Sequence, residues 1–213
     1  NDQKKADEQI KAGHFDIVNS SNLREKKNLS LSIVGSSKQN GIREVNDFYP
    51  TPSYAVEELL KRETFSGNIW EPACGDGAIS EVLKKHGYNV ISTDLIYRNY
   101  GVGGIDFLTA GHDIYDNIIT NPPFKHALEF VLKSKKASRK KIAMFLKTVF
   151  LESSSRYDMF QDKEFPLKAV YQFSKRVTLF EGGVKRKCSG LVAYAWFVWD
   201  SAHTGEPMLR WIK

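Results

Sequence analysis

Between residues 68 and 87 an apolar run, Asn68-Ile69-Trp70-Glu71, gives way to a turn holding Gly75 and Gly77, and then to Ile79, Val82 and Leu83 at helical spacing before Gly87. That succession reads as strand, tight turn, helix and glycine cap. The alternation continues along the chain. Further strands are expected at Tyr88–Asp94, Ile105–Leu108, Asp116–Thr120, Ile142–Leu146, Leu167–Phe173 and Tyr194–Trp199. Helices are expected where Thr51-Pro52-Ser53 precedes Val56, Leu59 and Leu60, and where Leu128, Val131 and Leu132 form a stripe. Strands alternating with helices imply parallel βαβ units and an α/β, doubly wound sheet.

The chain of 213 residues suits one such domain, and its 41% apolar content is enough for a core. Residues 1–46 are polar, with only Ile10, Phe15 and Ile17 as anchors of a short element, and read as a flexible arm; the globular pattern spans 47–213. The Lys-rich start is unlike a secretory signal, and no run of about 18 apolar residues exists, so no membrane span is expected. Cys74 and Cys188 are far apart and the five histidines are scattered. No disulfide framework and no metal site are expected, and a reducing cytoplasm fits best. The net charge of +6 gathers at Lys133–Lys141 and at Lys185-Arg186-Lys187. Those clusters are either solvated faces or contacts to a polyanion.

In doubly wound sheets ligands bind outside the carboxyl ends of the strands. The first strand ends in E-P-A-C-G-D-G, residues 71–77, where two glycines let the backbone turn tightly and approach a ligand. The third glycine of a dinucleotide fingerprint and the lysine of a P-loop are both missing. Asp94 ends the second strand; it reads as an acceptor for ribose hydroxyls or as a helix N-cap. Asp106 and Phe107 lie in the third, where an acid beside an aromatic suits an adenine ring, or a plain turn.

The fourth strand runs into Asn121-Pro122-Pro123-Phe124. An exocyclic amino nitrogen on a base is a poor nucleophile because its lone pair is delocalised. Two acceptors aimed at its hydrogens, the Asn121 side-chain oxygen and the Pro122 carbonyl, would draw it toward tetrahedral geometry. Prolines fix φ and remove donors, so the turn presents acceptors without competing N–H groups. Phe124 is placed to stack on the base, worth about 1–3 kcal/mol.

These residues, together with F-Y-P-T-P at 48–52, resemble the S-adenosylmethionine-dependent methyltransferases that modify amino groups of DNA bases. R-V-T-L-F-E-G-G at 176–183 and A-W-F-V-W-D at 195–200 look like the C-terminal part of phage and prophage DNA adenine methyltransferases, and the resemblance covers roughly residues 46–200. It implies the Rossmann-like class I fold, a mostly parallel seven-stranded sheet whose last strand is antiparallel. It implies S-adenosyl-L-methionine as cofactor, held by Tyr49, Thr51, Pro52, Glu71, Pro72, Ala73, Gly75, Gly77, Asp94, Leu95, Asp106, Phe107 and Asn121. The catalytic turn is then Asn121, Pro122, Pro123 and Phe124, and methyl transfer to adenine N6 is a direct displacement that requires no metal. Phe180 is implied as a second wall of the base pocket, with Arg176, Lys147, Lys185 and Arg186 toward the substrate. The implied partner is double-stranded DNA, with a homodimer or a partner subunit to supplement it. A large target-recognition domain has no room here. Sequence reading would fall to Glu181–Gly190, residues 150–165, the arm or a partner, and a duplex base must be flipped at a cost of a few kcal/mol. RNA adenine methylation, protein glutamine methylation, and a silent nucleic-acid-binding subunit remain as alternatives.

Overall fold

The computed structural model describes residues 48–111, 114–179 and 192–213. The arm over 1–46, Phe180, Lys185, Arg186 and the segment Glu181–Gly190 lie outside the described residues. Seven strands form one sheet: β1 (Asn68–Glu71), β2 (Asn89–Ser92), β3 (Tyr115–Thr120), β4 (Ser138–Lys147), β5 (Leu167–Phe173), β6 (Tyr194–Asp200) and β7 (Met208–Ile212), in the order β2-β1-β3-β4-β6-β5-β7. β1 pairs in parallel with β2 and β3, and β3 with β4. β6 is antiparallel to both β4 and β5, whereas β7 is parallel to β5. The antiparallel strand is thus the last of those legible in the sequence, and β7 follows it.

Helices cover both faces, because successive strand residues point to opposite sides. Ile69, Ile119, Phe145 and Trp196 pack with α1 (Ser53–Leu60) and α2 (Ala78–Lys85). Their neighbours Trp70, Ile118, Met144 and Phe197 pack with α3 (Ala127–Ala137) and with Met159 of the short α4 (Tyr157–Gln161). β6 is buried along its whole length, as the apolar run Tyr194–Trp199 requires, and Asp200 at its end is buried with it. The buried Trp196 indole also donates to the Ala55 carbonyl at 2.7 Å, fastening the start of α1 to the sheet. Gly87 ends α2 at φ +84°, as a glycine cap should. No helix among the described residues is long and apolar enough to cross a membrane.

Two expectations need correction. Ile105–Leu108 is not a strand. Ile105 and Phe107 are buried, but Asp106 closes a turn: its side chain accepts the Leu108 N–H at 3.0 Å and its carbonyl accepts those of Thr109 and Ala110. The Asp side chain offers the backbone an alternative to a ladder. β7 replaces it in the count. As an edge strand it mixes exposed Leu209 and Trp211 with buried Ile212, and that mixed pattern hides it in the sequence.

From β1 the chain moves outward to β2 and then returns to β3 on the other side of β1. This reversal opens a crevice at the carboxyl ends of β1 and β3. The opposite end of the sheet is closed by ions. Glu63, 2% exposed, accepts from Lys141 at 2.7 Å, Lys168 at 2.9 Å and the Tyr171 hydroxyl at 2.7 Å. Burial pushes the Glu63 carboxyl up, but these donors outweigh it and hold the group below its ordinary value of 4.5. Its stabilisation is therefore complete above pH 4.5 and is lost as pH falls through the lowered folded value. We predict that Glu63→Gln costs about 3–5 kcal/mol at pH 7 by denaturant unfolding. The gap from the wild type should close at acid pH; a gap independent of pH would contradict the ionised carboxylate.

Candidate active site

A cavity of about 570 Å³ fills the crevice. Its wall begins in the loop after β1, where Glu71, Pro72, Ala73 and Gly75 all contribute. Gly75 and Gly77 have φ of +56° and +88°, a region that side chains disfavour. Space demands glycine as well: a Cβ on Gly75 would lie 2.4 Å from the Phe48 ring, and one on Gly77 2.6 Å from the Tyr100 ring. The close approach expected at these glycines is thus made by the protein's own aromatic rings. Gly77 caps α2 and lies outside the cavity lining.

Asp94 follows β2 and lines the cavity beside Leu95. One carboxylate oxygen accepts the Gly75 N–H at 2.8 Å; the other accepts the Ile96 N–H at 2.8 Å and the Arg98 guanidinium at 3.1 Å. No helix follows, so the N-cap reading is set aside. The residue locks the loop after β1 to the end of β2. Three of its roughly four lone-pair sites are filled, so one further donor fits while Arg98 stays in place. Arg98 was not legible as a site residue. It also lies over the Phe48 ring at 4.4 Å, forming a clasp across the loop.

Asp106 and Phe107 reach the same cavity. Phe107, however, is 2% exposed and wedged between Trp70 at 5.0 Å and Phe130 at 4.8 Å. It is chiefly a core ring with one edge in the wall, so it offers little face for stacking. Glu71 is equally buried; its carboxyl takes the Ser80 hydroxyl, which meets that of Ser92 at 2.7 Å. Burial raises the Glu71 carboxyl well above its ordinary 4.5, and Asp94 and Asp76 raise it further. Burial also raises the Cys74 thiol, with Glu71 and Asp94 adding to the effect, so Cys74 is held as an inert thiol.

Asn121 leaves β3 into the same cavity, with Pro123 beside it. Its amide nitrogen donates to the Tyr49 carbonyl and to the Thr51 hydroxyl, each at 3.0 Å. Its Oδ1 is buried and has no hydrogen-bond partner. Tyr49 and Thr51 line the cavity; Pro52 does not, and its carbonyl receives the Ala55 N–H at the start of α1. Pro122 is buried and Phe124 half-buried, both outside the lining. Phe124 stacks on Tyr49 at 6.3 Å and meets Tyr194 at 5.6 Å, while the Lys147 ammonium lies 4.6 Å from its ring centre. Lys147 and Phe124, some twenty residues apart in sequence, are thereby brought together next to Asn121. Arg176 is exposed and outside the lining. Among the described residues no three His, Cys, Asp or Glu side chains cluster as metal ligands would.

The basic cluster at 133–141 lies elsewhere. Lys133 is bonded to the Ala110 carbonyl, Lys135 to Asp162, Lys140 to Asp116 and Lys141 to Glu63. It sits toward the amino end of β4, about 20–30 Å along the strand from Lys147 at the carboxyl end. These lysines brace the fold.

No protein-family model matches the sequence, and no curated protein matches it. The fold has clear relatives among solved structures. A provisionally assigned RNA methyltransferase from Pyrococcus horikoshii matches at 16% identity and TM-score 0.56, over 76% of this chain and 92% of the other. A modification subunit of a provisionally assigned type I restriction enzyme from Vibrio vulnificus matches at 15% identity and TM-score 0.57, over 79% of this chain; the match spans about half, 48%, of that longer chain. A provisionally assigned class I S-adenosylmethionine-dependent methyltransferase from Listeria monocytogenes matches at 14% identity and TM-score 0.55, over 81% and 68%. The chain has the fold of these proteins, a mixed sheet with one antiparallel strand.

The buried Glu71 yields a test of the loop. Its raised folded value means that its contribution to stability is complete below pH 4.5 and lost as pH rises through that value. Glu71→Gln keeps the shape without the charge. Its stability relative to the wild type should grow from pH 4.5 toward 8, by at most about 1.4 kcal/mol per pH unit. Thermal unfolding across that range reads it; parallel curves would mean that Glu71 is ionised in the fold.

Proposed function

We propose that the protein transfers a methyl group from S-adenosyl-L-methionine to the exocyclic N6 amino group of adenine in DNA. The observation that carries this reading is the amide of Asn121, a residue that lines the cavity with Asp94 and Asp106: its NH2 is occupied by the protein, and its Oδ1 is buried and left without a donor. A buried acceptor without a donor is uncommon and calls for a partner. An amino hydrogen of the target base supplies one.

The cavity residues suit the cofactor. The turn at Gly75, with Asp94, Leu95 and Asp106 along the wall, would hold its adenosine part, and Asp94 has capacity for one ribose hydroxyl, or for both if Arg98 turns away. The cofactor supplies an electrophilic methyl sulfonium. The protein's task is alignment and electrostatics. Asn121 Oδ1 accepts from the amino group and favours the geometry in which nitrogen regains its lone pair. The nitrogen–carbon bond forms as the carbon–sulfur bond breaks, and the extra proton leaves to solvent. The Phe124–Tyr49 pair, with Lys147, offers an aromatic and cationic rim for a flipped base.

DNA is preferred on the resemblance of F-Y-P-T-P and the 176–200 blocks to DNA adenine methyltransferases. The structural relatives, at 14–16% identity, share the fold and leave the substrate open. Labelled methyl offered with matched duplex DNA and RNA should appear as N6-methyladenine in the DNA. Label confined to RNA would move the assignment to an RNA enzyme. Asn121→Ala should lower the transfer rate by about 100-fold or more, as loss of one preorganised polar group does, with cofactor affinity by calorimetry nearly unchanged. Wild-type transfer by that variant would remove Asn121 from the chemistry.

A further inference from the structure

Asn121 works in this scheme only if its oxygen, and never its nitrogen, faces the substrate. An amide is nearly symmetric in shape, so something must set its sense. Both nitrogen hydrogens are directed to one distant segment, to the Tyr49 carbonyl and the Thr51 hydroxyl at 3.0 Å each, some seventy residues upstream in sequence. We infer that Thr51 is a positioning residue: the Tyr49 carbonyl sets the sense of the Asn121 amide, the Thr51 hydroxyl holds the amide in that place as its second acceptor, and Thr51 serves the reaction through that bond, not as a ligand of the cofactor. The inference deepens the amino-methylation reading and rests on it for its catalytic consequence.

The sequence around Thr51 explains why the arrangement is one-sided. A reversed amide would set Oδ1 against the Tyr49 carbonyl, acceptor against acceptor. Pro50 and Pro52 flank Thr51 and bring no N–H groups to such an oxygen; the Thr51 hydroxyl can donate as well as accept, so it serves either sense and the Tyr49 carbonyl decides between them. Thr51 is 3% exposed, so water does not take the place of its hydroxyl. The segment is itself immobilised. The Pro52 carbonyl receives the Ala55 N–H at 2.9 Å, the Ala55 carbonyl receives the Trp196 indole at 2.7 Å, and the Tyr49 ring stacks on Phe124. P-T-P and N-P-P-F thus form one rigid unit from two parts of the chain.

Two variants separate the possibilities. Thr51→Val keeps the shape and loses the acceptor; Thr51→Ser keeps the acceptor. Thr51→Val should lower kcat about tenfold, the worth of one buried hydrogen bond, with KM for the cofactor nearly unchanged. Thr51→Ser should return kcat to within about twofold of the wild type. Unchanged kcat in Thr51→Val, equal loss in both, or a raised cofactor KM with kcat intact would overturn the assignment. An independent reading uses nitrogen-15 resonance of the Asn121 side-chain NH2, identified by its disappearance in Asn121→Ala. Its protons should be protected from exchange in the wild type and in Thr51→Ser, and exchange at least about tenfold faster in Thr51→Val. Equal rates would overturn the lock itself. If the wild type methylates no nucleic acid, the proposed function fails on that result, and the resonance measurement still decides the lock.

Discussion

A sheet buried on both faces has no room for chemistry along its strands. Every central strand here sends alternate residues into one apolar layer or the other, so groups that must meet a ligand are confined to the strand ends. The turn back from β2 to β3 then separates the loops at one end and opens the cavity there. The site is a consequence of that double burial. Asp94 and Asn121 each come within three residues of the apolar stretch that the core requires, at the end of their strands.

The two ends of the sheet treat carboxyl groups in opposite ways. At the amino end of β4 and β5, Glu63 is kept charged by two lysines and a tyrosine. Beneath the cavity, Glu71 takes the hydroxyl and the backbone N–H of Ser80 and has acids as neighbours, and burial raises its carboxyl well above the ordinary value. Charge is thus spent on bracing where nothing binds. Asp94, beside the cavity, accepts from two backbone amides and from Arg98, and it ties two loops while retaining some accepting capacity. The lysines at 133–141 belong to the bracing end, so substrate contact falls to Lys147 and its surroundings at the other.

Much of this was legible in the sequence because it is local. β1 and β5 have the bounds expected from the sequence, and Gly75, Gly77 and Gly87 take the left-handed conformations that turns and caps demand. Asp94 and Asn121 could be placed by order alone, since strands of one direction must end on one side; Asp106 reaches the same cavity from a turn. The same logic failed at Ile105–Leu108, where burial was read correctly and geometry was not: an Asp side chain within the run captured the backbone. β7 escaped because an edge strand needs no continuous apolar pattern.

What the sequence by itself determined is which residues must be buried and which polar groups fall at the carboxyl end of the sheet. It also determined that a rigid, donor-poor turn carries Asn121. Tertiary structure alone decided what those groups do. It made Phe107 a core ring, brought Arg98 onto Asp94, set Lys147 over Phe124, and turned Thr51 toward Asn121. Periodicity and turn chemistry act over a few residues and leave their mark in adjacent letters. A hydrogen bond across seventy residues depends on two backbones meeting at a fixed distance and angle, and only the packed sheet sets that.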